Sequence, residues 1–412
     1  MSSSYRNCSR RRIARLAAVS AITCAAGPVL AANDWVFDPR VEVGAVYDDN
    51  YRLTDQPGQE IDVTGASLDA ALGMRAQTQR STLELVPRVR STFFPNDSSE
   101  EATDYYVTGL AEKRTQRVVS AFKARFADES VVSSELPAAD FPGLGLGQAA
   151  SGDTGLVTVR NRRQLIVANP SLAYDWTERR HVTFDLQYTD ASYQSQVVEQ
   201  VGYKDFAAVA GLVWDVSQRH VFSVALVGDR YSPADDHQDT NTGGISAEWR
   251  TAPSKLTSYY FRGGVRHSDR NASGTAAEVS ETSFNGGLGA AWQLQTTQLV
   301  IDLMRSTVPS SSGVVVNRDE VRFRAIKTFQ PRLSGYVAAR GIKTHGLNTT
   351  ATNDVRDRKY ATAATGFEWR ASRQFSLHGE YEYRWQEFEN ALDDATSNGV
   401  FLSVIYEPRR VN

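Results

Sequence analysis

Ala361–Trp385, ATAATGFEWRASRQFSLHGEYEYRW, is the stretch whose alternation decides the fold class. Ala361, Ala363, Thr365, Phe367 and Trp369 share one face of an extended chain, and Thr362, Ala364, Gly366 and Glu368 share the other. A period of two residues is a strand. After the polar break Arg370–Gln374 the alternation restarts. Phe375, Leu377, Gly379, Tyr381, Tyr383 and Trp385 now stand opposite Ser376, His378, Glu380, Glu382 and Arg384. The two strands form a hairpin with an apolar face, aromatic at its ends, and an ionised face. A soluble sandwich hides the apolar face and a membrane barrel shows it to lipid, so the hairpin by itself leaves open which face is inward.

The chain ends narrow the choice. Arg10, Arg11, Arg12 and Arg15 precede an apolar run from Leu16 to Leu30 that finishes in Val29-Leu30-Ala31, the layout of a secretory signal peptide over residues 1–31. Both cysteines, Cys8 and Cys24, fall in that segment, so the exported part carries no disulfide. Removing its five arginines from the 45 basic residues leaves 40 against 48 acids, an acidic balance that argues against nucleic-acid binding. Residues 32–412 show no linker or low-complexity tract, and no later apolar run is long enough for a transmembrane helix. They read as a single domain.

From Val41 onward a strand, a short polar turn, a second strand and a longer acidic or Gly/Ser-rich loop recur. The short breaks lie near residues 75, 112, 177, 215, 250, 293, 330 and 370. Trp176, Trp214, Trp249, Trp292 and Trp369 each stand as the last apolar-face residue before such a turn, with Phe329 in the same place on another strand. Their spacings are 38, 35, 43, 37 and 40 residues, a repeat of architecture without sequence identity. Eight turns pair sixteen strands, and one more at each end makes eighteen. An even number of antiparallel strands, with short turns at one end and long loops at the other, predicts an all-β transmembrane up-and-down barrel in the outer membrane. Lipid then takes the apolar face, a wet lumen takes the charged one, and closure satisfies every edge. Propellers and solenoids have similar periods, but they bury both faces of most strands. Trp176, Trp214, Trp249, Trp292, Phe329 and Trp369 become a periplasmic aromatic girdle, with Trp35 at its level. Tyr47, Phe93, Tyr188, Tyr203, Tyr231, Tyr360 and Trp385 are expected in the outer one. A charge at Leu377 is expected to hinder assembly.

The first strand ends in Val43-Gly44-Ala45-Val46-Tyr47-Asp48-Asp49-Asn50. This resembles the outer-membrane barrels associated with exopolysaccharide operons, the EpsL-like or beta-barrel-porin-2 group. The resemblance implies a channel that exports a polysaccharide, with a periplasmic polysaccharide-export protein as partner and no catalytic residues. A diffusion porin, general or substrate-selective, is the alternative, followed by an outer-membrane enzyme or adhesin.

An eighteen-stranded lumen is wide enough for water and solute. Its lining candidates are paired basic positions, Arg88 and Arg90, Lys123 and Arg125, Arg262 and Arg266, Arg322 and Arg324, with Glu368, His378, Glu380, Glu382 and Arg384 from the opening hairpin. They form either a basic ladder that steers anions, with acids such as Glu42, Glu84, Asp185, Glu248 and Asp302 opposite, or a mutually neutralising set that keeps the lumen wet. The long loop Asp128–Arg163, with Phe141–Gly147 at its centre, either plugs the barrel or stays outside. Acidic loops at Asp48-Asp49-Asn50, Asp235-Asp236 and Asp393-Asp394 lack the spacing of a calcium loop. No Gly-x-Ser-x-Gly, metal-spaced His pair or phosphate loop is present, which points away from an enzyme and from any cofactor or metal. Outer-membrane lipid and lipopolysaccharide are the expected surroundings.

Overall fold

In the computed structural model the described residues are 35–136, 156–195, 200–234, 239–270, 279–346, 357–389 and 393–408. The expected signal segment, Phe141–Gly147 and Asp235-Asp236 lie outside them. Eighteen strands follow in order: β1 (Trp35–Asp48), β2 (Val63–Gln77), β3 (Ser81–Phe93), β4 (Ala102–Arg114), β5 (Val118–Ser130), β6 (Arg162–Thr177), β7 (Arg180–Tyr193), β8 (Tyr203–Ser217) and β9 (His220–Pro233) make the first half. The second half is β10 (Thr240–Ser254), β11 (Thr257–Arg270), β12 (Val279–Gln293), β13 (Thr297–Pro309), β14 (Val315–Gln330), β15 (Leu333–Gly346), β16 (Arg358–Arg370), β17 (Phe375–Phe388) and β18 (Ala395–Tyr406). Each pairs antiparallel with its neighbours in sequence, and β18 returns to β1, so the sheet closes with no free edge.

The opening hairpin is β16 and β17, in the register Ala361↔Trp385 to Arg370↔Ser376. Phe367, Trp369, Phe375, Tyr381 and Tyr383 are exposed on the outside, whereas Thr362, Ala364 and Arg384 are buried within. The apolar face is the outer one. Of the rings expected in the periplasmic girdle, Trp176, Trp249, Phe329 and Trp369 are exposed on the outside. Its rings stack along the register, Trp214 on Phe222 at 5.9 Å and Trp249 on Phe261 at 6.0 Å, while Trp292 meets Tyr259 edge-on. Trp35 packs over Ala76, Leu83 and Ala111 at the same end.

Prolines interrupt the ladder where an N–H is missing. Pro170 leaves the Leu186 carbonyl without its backbone partner, and the Asn169 side-chain amide donates to that oxygen instead, at 2.5 Å.

The seam between β1 and β18 explains the Tyr47–Asn50 stretch in physical terms. Asp48 bonds Arg384 and accepts from Ser397 Oγ at 2.7 Å. Asp49 accepts from the backbone N–H and side-chain amide of Asn398 at 2.7 and 2.8 Å, and Asn50 donates to the Thr396 carbonyl at 3.0 Å. These bonds clasp the first strand to the last above the point where their ladder ends. Asn50→Ala removes this bond and two to Thr54. It is expected to lower the unfolding free energy by about 1–3 kcal/mol, measured by urea titration of the refolded protein in micelles.

One expectation changes. Tyr203, Tyr231 and Tyr360 do not join the outer girdle: they are at most 5% exposed and point inward, where loops cover them. Tyr47, Phe93 and Tyr188 do face outward. The long loop also contains a helix, α1 (Val131–Glu135), capped by Ser130. At five residues it is too short to leave a periodic signal.

Candidate functional site

The lumen is divided into two unlike walls and a mouth. On β3–β7 several inward charged side chains are exposed to the channel. Arg88 ties to Asp69, its Nε at 2.8 Å from Oδ1, and lies over the Tyr106 ring at 5.6 Å. Arg90, Lys123 and Arg125 are exposed to the lumen, and among the described residues Lys123 and Arg125 have no hydrogen bond or ion pair. Glu84, Thr108, Lys123, Arg125, Asn169 and Gln187 line a cavity of about 440 Å³ against this wall. β-Structure places them there because positions two apart on one strand share a face, so 84, 88 and 90 on β3 and 123 and 125 on β5 all point the same way.

On β13–β17 most inward charges are buried or half-buried and lie against partners of opposite charge or hydroxyls. Arg322 bonds Asp302 with side-chain exposures of 2% and 1%. Glu320 takes Arg340 at 3.0 Å, Arg318 at 3.5 Å and Arg322 at 3.7 Å. Arg324 lies half-buried on the same face. Glu380 bonds the Tyr336 hydroxyl, and Glu382 accepts from Thr362 at 3.0 Å. His378 stacks on Tyr336 and sits 3.8 Å from Glu42, while Glu368 meets Arg370 near the periplasmic turn at 3.3 Å. Between the two walls, Arg262 Nε donates to Glu248 at 2.6 Å and Arg266 lies 3.7 Å from Asp229. The candidates named from sequence therefore split. Arg90, Lys123 and Arg125 stay exposed to the channel, Arg90 across the ladder from Asp69 and Asp104, whereas Arg322 and Arg384 are committed to buried structural pairs. Arg318, Glu320, Arg340 and Arg358 belong to this buried wall, and the sequence reading missed them.

The extracellular mouth is filled from within. Leu53 of the β1–β2 loop, Val131, Val132 and Leu136 of the α1 region, and Val157 pack on Ile342, Tyr360 and Ala395 of the barrel wall. Each well-buried Val or Leu contributes about 1.5–3 kcal/mol by leaving water. Ile342 and Tyr360 are apolar positions on an otherwise wet face, and that break in alternation was the available sequence signal for a loop landing there. Charges are paired within the filling: Arg52 with Glu100 at 2.8 Å, and Arg163 with Glu129 at 2.7 Å and Glu135 at 3.7 Å. Tyr193 donates to Glu135 at 2.7 Å, and Arg52 Nη1 to the Val157 carbonyl at 2.5 Å. Burial pushes the Tyr51 hydroxyl above its ordinary value against the pull of Arg90 and Arg384, so it stays neutral at the mouth. The β13–β14 loop also turns inward: Tyr231 donates to the Ser310 carbonyl at 2.8 Å, and the Val201 N–H to Ser311 at 2.7 Å. Of the two options for the long loop, its described parts take the inward one.

No family model matches the chain, and no curated protein matches it. Solved structures do. OccK2 (OpdF) of Pseudomonas aeruginosa is 8% identical and aligns over 91% of this chain and 98% of its own, with a TM-score of 0.50. A BenF-like porin from Pseudomonas fluorescens Pf-5 is 8% identical over 92% and 100% of the two chains, with a TM-score of 0.49. At such identity the likeness to OccK2 is one of fold. Together with the closed sheet, the outward apolar face and the aromatic girdle, it makes this chain an integral outer-membrane β-barrel of porin architecture.

Proposed function

We propose that the barrel is a selective diffusion pore for small solutes bearing negative charge, with no chemical step of its own. The observation that carries this is the lumen cavity of about 440 Å³ lined by the exposed cations Lys123 and Arg125. Its size is that of a small-molecule site, typically about 300–1,000 Å³. Two cations against one acid, Glu84, in the cavity lining leave a positive balance there, and low-dielectric walls focus that field and concentrate anions locally. A mouth filled by apolar loop contacts supports passage of small solutes over passage of a polymer. The Val43–Asn50 resemblance implies exopolysaccharide export instead; the role of Asp48, Asp49 and Asn50 in the seam gives that stretch a structural reason independent of cargo.

The test is the reversal potential of the protein in planar bilayers under a potassium chloride gradient. The wild type is expected to favour chloride. Lys123→Glu with Arg125→Glu is expected to lower the chloride-to-potassium permeability ratio by about tenfold, since local concentration follows the focused field. A cation-selective wild type, or a double variant with unchanged selectivity, refutes the assignment.

A further inference from the structure

On the outer surface, near the extracellular ends of β14–β17, the apolar face gives way to a row of charges in one register. Asp319 pairs with Lys343, Lys343 with Lys359 and Lys359 with Glu387, with Arg305 on the other side of Asp319. Arg305 meets Asp319 at 3.3 Å and Lys359 meets Glu387 at 2.9 Å. The acid next above, Asp357, is held by His345 at 2.6 Å. Lys343 is exposed, and among the described residues it has no ion-pair partner. Across the ladder it has Asp319 on one side and another lysine, Lys359, on the other, and two like charges directly opposite repel on a sheet surface.

The depth of this row is set by the chain itself. Asp319, Lys343, Lys359 and Glu387 each stand ten positions along their strands from the girdle-level row of Phe329, Leu333, Trp369 and Leu377. At about 3.3 Å per residue and a strand tilt near 40°, ten residues rise about 25 Å, which is the height of the apolar band of an outer-membrane barrel. The lysine pair therefore lies at the level of the outer headgroups. Below it the outward face is built of Val337, Ala339, Gly341, Ala361 and Ala363, which form a shallow apolar surface suited to acyl chains.

We propose that Lys343 and Lys359 jointly hold the phosphate of a phosphorylated glycolipid of the outer leaflet, with its acyl chains along Ala339–Gly341 and Ala361–Ala363. A single anion between the lysines turns their repulsion into two charge-assisted contacts at the boundary of a low-dielectric medium. Neither the pore nor its selectivity enters this inference.

The mature protein, refolded in micelles, is titrated with bis-phosphorylated lipid A and with the same lipid after enzymatic dephosphorylation, and bound lipid is counted by native mass spectrometry. The wild type is expected to bind the phosphorylated lipid at least tenfold more tightly than the dephosphorylated one. Lys343→Glu with Lys359→Glu is expected to abolish that preference, and the neutral pair Lys343→Gln with Lys359→Gln to do so if the charge reversal fails to fold. Lys343→Arg with Lys359→Arg is expected to keep it. Heat-modifiable gel mobility verifies the barrel in each variant. Equal binding of the two lipids by the wild type, or an undiminished preference in a folded Gln variant, overturns the proposal.

Discussion

Val337→Arg is expected to destabilise the barrel by about 2–4 kcal/mol, because it puts an unpaired cation on the lipid face deep in the apolar band. Val337 is half exposed on the outside of β15, four residues above the girdle position Leu333 and six below Lys343. Neither aqueous boundary is within easy reach of the guanidinium, which must snorkel or thin the bilayer locally. The measurement is urea unfolding in lipid vesicles against the wild type. Lys123→Gln, on the wet wall, serves as the control and is expected to change stability by less than about 0.5 kcal/mol. Equal effects at the two sites would mean that the assignment of faces is reversed. Leu377, where the sequence suggested placing a charge, turns out to be opposite Trp369 at girdle level. The cost there falls to about 0–1 kcal/mol.

Asp302→Ala is expected to be costlier than any other single change on the lumen side, about 3–5 kcal/mol, because it takes the directly bonded acid from a buried arginine. Asp302 bonds both Arg322 and the Tyr260 hydroxyl. Without it, Arg322 keeps its contact with Glu320, which Arg318 and Arg340 also approach, and all three arginines are nearly inaccessible to water. Asp302→Ala combined with Arg322→Met removes both charges and is expected to recover most of the loss, since a well-packed apolar pair replaces a buried ion pair at little net cost. Failure of the double variant to recover would show that the network, rather than the pair, sets the energy.

Much of this fold was legible because it depends on periodicity. The alternation of Ala361–Trp385, the tryptophans before the turns and the eighteen-strand total all rest on patterns that run along one chain, and a closed sheet satisfies them in one way. The lining of the lumen was legible only as a set. That Arg322 is spent on Asp302 while Lys123 stays free depends on which residue lies across the ladder, and cross-strand register is not written in either strand by itself. Tyr203, Tyr231 and Tyr360 show a related limit. Their distance along the strand suited an outer girdle, but their parity groups them with Asp205, Asp229 and Arg358 on the inner face. They turn inward because loops supply them with apolar cover, and those loops carry no period from which their course could be read.

The most direct test of the account is solute passage into liposomes carrying the purified barrel. Swelling rates with small sugar acids, their neutral sugar counterparts and a polymeric acidic polysaccharide are compared. The account predicts rapid entry of the small anions, slower entry of the neutral sugars and no entry of the polymer. Entry of the polymer with the inward loops intact, or equal rates for anionic and neutral solutes of one size, would contradict it.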